Sequence, residues 1–561
     1  MTLQVVWFRR DLRLSDHPAL CHISSSARVL PLFILDPALL RHPETGAARV
    51  AVMLDSLASL EQDLRARQSR LEVRWGEPAT TLLQVVRDYG ADGVVAHVDT
   101  ERIVGRVRDA RVNRMLAEAR IPIHWIEPPG AVAPLLAYSD FRRSWHAAMA
   151  QKPLPAPTRL RTPPHPGGRP SSIPNLTALG LLDDGKPRPP AGTAAALKRL
   201  KLFCSQGVSS RYYWQLSYPA ARASSGLSPY LKFGVVSHRQ CLDAIAPLQR
   251  GDSGQQRSWR QLVSRLRWGA GMAQRFRYLP QLELEPLWHC HQQETRLNAR
   301  QEELYRRWQE GRTGFPIVDA ASRCLLSTGG WHELNFRSRA IHASFLTNLC
   351  GIDWRYGALH YMRHLLDGDC PIDHYQWAMQ AGVTTGGGQQ SGGERGDQGA
   401  WTRIYHPGQL AVDRCDPQGV FVRRWLPELA DLTNDQLGQP PAMADYPPPM
   451  LDYTSARADR LAWLQQRRQG WSRGGFSAMP SDVTPFGASR IPGSCLDWCQ
   501  ERHPALFPEG LDPGSLDREQ QAALESWFMG GPTPAERPRS SRRQRNSTMQ
   551  QLELFGGERG D

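Results

Sequence analysis

Over the first 130 residues, short apolar runs alternate with longer stretches whose apolar positions recur every three or four residues. Val5–Phe8, Val29–Leu35, Leu71–Trp75, Gly93–His97 and Ile121–Trp125 are short and rich in Val, Ile, Leu and aromatic side chains, as strands buried on both faces require. Ala51–Arg67 and Ala79–Tyr89 instead carry the helical period. Strand and helix repeated in this way predict a Rossmann-like α/β domain, with a parallel sheet covered on both sides. Ligands of such sheets bind beyond the carboxyl ends of the strands.

From Lys152 to about Pro190 the chain turns to Pro, Gly, Ser and Arg, the composition of a surface linker. From about Thr193 to Arg468 the pattern is almost wholly helical, which predicts a second, all-α domain. The expected division is an α/β domain over 1–135, a linker over 136–195, an all-α domain over 196–468 and a partly disordered extension over 469–561. Thr384–Gly399 carries seven Gly and reads as a disordered insertion between helices.

Composition narrows the function classes. The 561 residues hold 68 Lys+Arg against 55 Asp+Glu, a formal charge of +13, and 40% are hydrophobic. That apolar share suffices for sizeable cores and excludes a disordered or collagen-like chain. No run approaches the ~18 uninterrupted apolar residues of a membrane span. The ten Cys are scattered without a CxxC, against a disulfide framework or a zinc ribbon. A basic surplus suits a polyanionic partner such as nucleic acid, although it is equally a solubility trait. The 18 Trp are the sharper oddity, because indoles stack and can be oxidised, as well as filling cores.

Several segments carry candidate chemistry in a fixed order. They are Val6–Arg13 (VWFRRDLR), Ser225–Leu231 (SGLSPYL), Trp308–Ala320 (WQEGRTGFPIVDA), Asn335–Ala340 (NFRSRA), Asp353–Arg355, Asp367–Asp369 with Asp373 and Trp377, and Gly419–Leu429 (GVFVRRWLPEL). Together they resemble the cryptochrome/photolyase flavoproteins over roughly residues 1–465. The resemblance implies an N-terminal α/β antenna domain and an all-α C-terminal domain holding FAD in a folded conformation. It implies one of two functions: light-driven repair of cyclobutane pyrimidine dimers in DNA, or blue-light sensing without repair. A monomeric, cytoplasmic protein with no membrane association is expected.

The same resemblance assigns roles. Tyr213, Ser224, Ser225, Leu227, Ser228, Arg339, Asp367, Asp369 and Asp373 would bind FAD. Hydroxyls in a turn before a helix suit the pyrophosphate, and Arg339 paired with Asp367 would face the ring. Outside the motif, that pair would read as a salt bridge between helices. Asp373 occupies the position facing flavin N5, where a carboxylic acid can deliver a proton and an amide can only hydrogen-bond. Trp377 and Trp354 match the first two electron-relay tryptophans. Asn298 stands at the third position, so the usual relay is interrupted, and Tyr375 or Tyr356 offers another exit.

On the DNA side, Ser258–Tyr278 interleaves Trp259, Trp268, Phe276 and Tyr278 with five Arg. Trp268 matches the lesion-stacking Trp and Arg337 is retained. Arg265 replaces the acidic residue expected at the thymine edges, and Phe336 and Ala340 replace Asn and Met of the lesion pocket. The alternative is a solvated Arg-rich face with Trp buried beneath it. Arg9, Arg10, Asp11 and Arg13 would serve an antenna chromophore, a folate or a deazaflavin, or only tie the domains together. Finally, Gln551–Phe555 (QLELF) follows a basic stretch and resembles the bacterial sliding-clamp-binding motif.

Overall fold

A computed structural model describes residues 2–471 except 24–26, 43, 133–137, 168–171, 206, 279–282, 284–285, 287–290, 292–295 and 385–402. Nearly all of the Gly-rich insertion, Trp498, Trp527 and the Gln551–Phe555 motif lie outside the described residues.

Five strands, β1 (Leu3–Phe8), β2 (Arg28–Leu35), β3 (Glu72–Trp75), β4 (Gly93–His97) and β5 (Ile123–Ile126), form one sheet in the order 3-2-1-4-5. Every pairing is parallel. Leu3, Val5 and Trp7 of β1, Leu30 and Leu32 of β2, and Val94 and Ala96 of β4 form one apolar layer with α2 (Pro78–Tyr89) and α3 (Ile103–Glu118). The alternate residues Val6, Phe8, Phe33 and Val95 are buried as well, so both faces are covered. α1 (Ala47–Arg65) runs between β2 and β3. β5 begins two residues later than its apolar run because Ile121 N–H is bonded to Leu116 O, where it closes the end of α3.

The strand order reverses between β1 and β4, and the loop after β1 carries the Arg9–Arg13 motif there. Arg9 bonds Asp109 at 2.8 Å and the His97 carbonyl. Arg10 bonds Asp99 at 2.9 Å, and Arg13 bonds Gly234 O at 2.8 Å. Asp11 receives His97 at 2.6 Å and His17 at 3.0 Å, which hold its carboxyl well below the usual range. Lys232, on α5 (Ser228–Lys232), pairs with Glu101, and Arg239, on α6 (His238–Ile245), pairs with Asp16. These residues therefore lock the sheet to the helices behind it. Gly234 (φ +60) completes the lock, since a Cβ there would lie 2.0 Å from Arg10 O.

The described residues of 152–190 are irregular but anchored to the sheet domain. Val29 N bonds Arg161 O at 2.9 Å, and Asp16 N bonds Leu154 O at 2.7 Å. The described residues after 192 are mostly helical. By contacts the molecule divides into two units, one comprising Met1–Gly207 with Leu227–Pro280, the other Val208–Gly226 with the described residues from 283 to 471. The first unit adds α4 (Thr193–Ser205) and α7 (Ser253–Tyr278) to the sheet domain. The second is built on α8 (Ala299–Glu310), α9 (Pro316–Thr328), α10 (Phe336–Ser344), α11 (Trp354–His364), α12 (Cys370–Gln380) and α13 (Tyr453–Trp471). No helix among the described residues is long and apolar enough to cross a membrane.

Candidate functional site

In the second unit, α9 starts on Pro316 and stops at Gly329 (φ 64). Gly330 (φ 70) and His332 (φ 68) continue the left-handed turn, which is costly for a histidine and is held here by its contacts. Ser224 Oγ lies 2.7 Å from His332 Nδ1, and Trp331 Nε1 donates to Gly226 O at 3.2 Å. Glu333 receives Arg222 and Arg424. The turn thus fixes the Ser224–Gly226 segment. Asn335 then caps α10, its Oδ1 accepting from Arg337 N and Ser338 N at 3.0 Å.

One turn into α10, Arg339 Nε donates to Leu334 O at 2.9 Å and Nη2 reaches Asp367 at 3.3 Å. Burial works against this cation, yet the charge of Asp367 holds its pKa above the ordinary value. Asp369 occupies the N-cap position of α12, but its carboxylate makes no capping bond to that helix. Asp373 sits buried one turn further, its Oδ2 3.8 Å from His374 Nδ1.

Trp377 follows by another turn, and α11 packs along α12. Gly357 allows this approach, because a Cβ there would lie 2.2 Å from Trp377 Cζ3. Trp354, at the start of α11, stands edge-on to His374 with centroids 5.8 Å apart. Trp377 is edge-on to Tyr361 at 5.0 Å and to Trp308 at 6.2 Å. Trp308 stacks on Tyr305 at 5.9 Å, and Tyr305 meets Tyr356 at 5.3 Å. Asn298 is the N-cap of α8 and exchanges a reciprocal capping box with Gln301. A polar side chain stands there because the helix end uses it.

Other expected residues sit at the surface. Tyr213 is 38% exposed beside Trp214, and Arg337 donates to Tyr405 Oη at 3.0 Å below the exposed ring of Phe336. In the first unit, Leu227 is buried and Ser228 exposed at the opening of α5. On α7, Trp268 is 41% exposed, whereas Phe276 is buried. Arg265 is half-buried, Arg260 exposed and Arg267 bonded to His146 at 2.8 Å. Arg277 is buried and paired with Glu127 at 2.8 Å.

The second unit's residues fit a flavin dinucleotide. Asn335 Nδ2 is a buried donor with no hydrogen-bond partner among the described residues, Ser224 and Ser225 are half-open, and the Arg339 side chain is 30% exposed beside Asp367. Donors, together with a cation paired to a carboxylate, are what a pyrophosphate and an electron-accepting ring need.

Known proteins decide the family. The family model "DNA photolyase" matches residues 4–159, and "FAD binding domain of DNA photolyase" matches residues 262–466. The deoxyribodipyrimidine photo-lyase of Synechococcus sp. is 33% identical over 480 residues, 80% of this chain and 93% of that protein. The chain belongs to the cryptochrome/photolyase family.

Solved members of the cryptochrome/photolyase family share the fold. A bacterial class III photolyase from Agrobacterium tumefaciens aligns with a TM-score of 0.68 at 25% identity, covering 84% of this chain and 98% of that one. An archaeal photolyase from Sulfolobus tokodaii, solved with two FAD molecules, aligns with the same score and identity over 83% and 100%. FAD is accordingly this family member's cofactor, and residues 262–466 are its FAD-binding domain.

His332, Glu333, Tyr405, His342 and Tyr361 did not stand out in the sequence. His332 acts through a left-handed backbone, and the others act through partners far along the chain. A cue that could have pointed to His332 is the paired Gly329–Gly330 just before it, a pair that favours a tight turn.

Proposed function

We propose that this chain uses light to split cyclobutane pyrimidine dimers in DNA. Bound, reduced FAD would supply an excited-state electron to the dimer and take it back after the ring opens. The residues proposed to hold it are Tyr213, Ser224, Ser225, Leu227, Ser228, Arg339, Asp367, Asp369 and Asp373. Trp377 and Trp354 would carry electrons toward it. No side chain has to act as a nucleophile, so the protein's work is to bind, orient and exclude water.

The supporting observation is Trp268, a large ring left 41% exposed on an Arg-rich helix when Phe276 of the same helix is buried. Exposed apolar rings beside cations suit an extruded base pair and its phosphates. Arg265, Trp268 and Arg337 are the proposed DNA contacts. A photoreceptor without repair activity is the second reading, favoured by Asp373 at the N5 position and by Phe336 and Ala340 in the lesion pocket.

Illuminating the reduced protein with a dimer-containing oligonucleotide should restore intact thymines. A preparation that binds FAD and photoreduces but restores none would leave only the photoreceptor.

An antenna chromophore, folate or deazaflavin, is proposed for the strand ends of the first unit. There Asp36 Oδ2 and His97 Nε2 are buried without hydrogen-bond partners among the described residues, and burial pushes the Asp36 carboxyl up to about 6. A second absorption band in the purified protein, lost on denaturation and extraction, would support it. For Gln551–Phe555 we propose sliding-clamp binding by a monomeric, cytoplasmic protein. Clamp pull-down should be lost in Leu554→Ala plus Phe555→Ala, and unchanged capture would refute the motif.

A further inference from the structure

His342 lies fully buried on α10. Its Nδ1 is 2.8 Å from Tyr361 Oη, and its Nε2 is 2.7 Å from Ser322 Oγ. Two carbonyls lie within reach of the Ser322 hydroxyl hydrogen, Trp308 O at 2.7 Å and Val318 O at 3.3 Å, and a hydroxyl that donates to either of them accepts from the ring. This network assigns one neutral tautomer, with Nε2–H donating to Ser322 and Nδ1 accepting the phenol of Tyr361. Burial holds the imidazole down to about 3 and pushes the phenol up, so both are neutral at rest.

Tyr361 also adjoins the relay. Its ring is 5.0 Å from Trp377 and stacks at 6.5 Å on Trp308. Arg339 and Asp373, the proposed flavin-facing charges, both act on its hydroxyl. A phenol gives up an electron readily only when its proton can leave with it, because the oxidised phenol is a strong acid. A buried tyrosine lacking a base is hard to oxidise, whereas Tyr361 has one within hydrogen-bond reach.

We infer that Tyr361 and His342 form a proton-coupled electron donor to oxidised Trp377, doing the work of the outer relay position that Asn298 has given to a helix cap. The inference rests on the photochemical reading above. Once Trp377 has lost one electron to the light-excited cofactor, one electron passes from Tyr361 to Trp377 and restores the neutral indole. The phenolic proton moves from Tyr361 Oη to His342 Nδ1. The products are a neutral tyrosyl radical and an imidazolium still bonded to Ser322, and total charge is unchanged. Return of an electron, from the cofactor or from an external thiol, brings the proton back to Tyr361.

The test is a flash on FAD-loaded protein, followed by transient absorption and electron paramagnetic resonance. A tyrosyl radical is expected, its spectrum narrowed by ring-deuterated tyrosine and its formation slower in D2O. Tyr361→Phe keeps the ring and should lose that signal completely with FAD content unchanged. His342→Gln should suppress it, and Trp308→Phe should retain it. A tyrosyl signal that survives in Tyr361→Phe, or a tryptophanyl radical alone in the parent protein, overturns the inference while sparing the photochemical reading. A flavin that does not bleach overturns both.

Discussion

Gly357 sets how closely α11 and α12 approach. Its missing side chain is replaced by the Trp377 ring, and a methyl group there would have to displace a rigid indole. Gly357→Ala should therefore over-pack the site by about 1–3 kcal/mol. A lower melting temperature and altered Trp377 fluorescence would be measured, and an unchanged melt would mean the helix pair yields easily. At Arg339 the issue is charge. Arg339→Leu leaves mostly buried Asp367 without its cation, so the protein should purify with a lower flavin-to-protein absorbance ratio. The Arg339–Asp367 pair was legible in the sequence through the motif. The hold of His332 on Ser224 was not, because nothing in a residue's identity announces a left-handed backbone at a non-glycine position.

At the scale of the element, α7 carries its six Arg on several faces with different fates. Arg260 is exposed and Arg277 is spent on Glu127. Arg260→Ala should weaken DNA binding and reduce the slope of log K against log salt by about 0.9, as expected for one lost phosphate contact. Arg277→Ala should leave that slope alone and lower stability by about 1–2 kcal/mol, discounted because Glu127 is half-exposed. Equal effects on the salt slope would contradict this division. The helix itself was plain from its period. The division of its arginines was not, since Glu127 lies 150 residues away. Asn298 teaches the same lesson, because a gap in a relay and a good helix cap are the same residue seen at two scales.

Across the whole molecule, buried histidines dominate the expected response to acid. Burial holds His17 and His238 down to about 4 and His342 to about 3, against 6.5 in the unfolded chain. The unfolded chain therefore binds protons first, and the stability these groups contribute is full above pH 6.5 and lost as pH falls toward 4. At about 1.4 kcal/mol per pKa unit, the loss should reach several kcal/mol. Asp36, raised to about 6, works the other way, with stability present below 3.8 and lost as pH rises through 6. Denaturant midpoints should thus fall between pH 6.5 and 4, and a flat profile would show that these histidines are open to water.

The sequence by itself determined the succession of elements and the family, because hydrophobic period and motif order are local properties that the backbone geometry of a strand or helix enforces. The parallel sheet and the helical second half were both legible from it. Only the tertiary structure decided which polar groups are already satisfied. Arg9, Arg10 and Arg13 are bound up in locking the sheet to its helices, the Trp268 ring is 41% exposed, and His342 is aimed at Tyr361. Those outcomes depend on partners brought together from distant parts of the chain, and burial sets their energies, which no local pattern encodes.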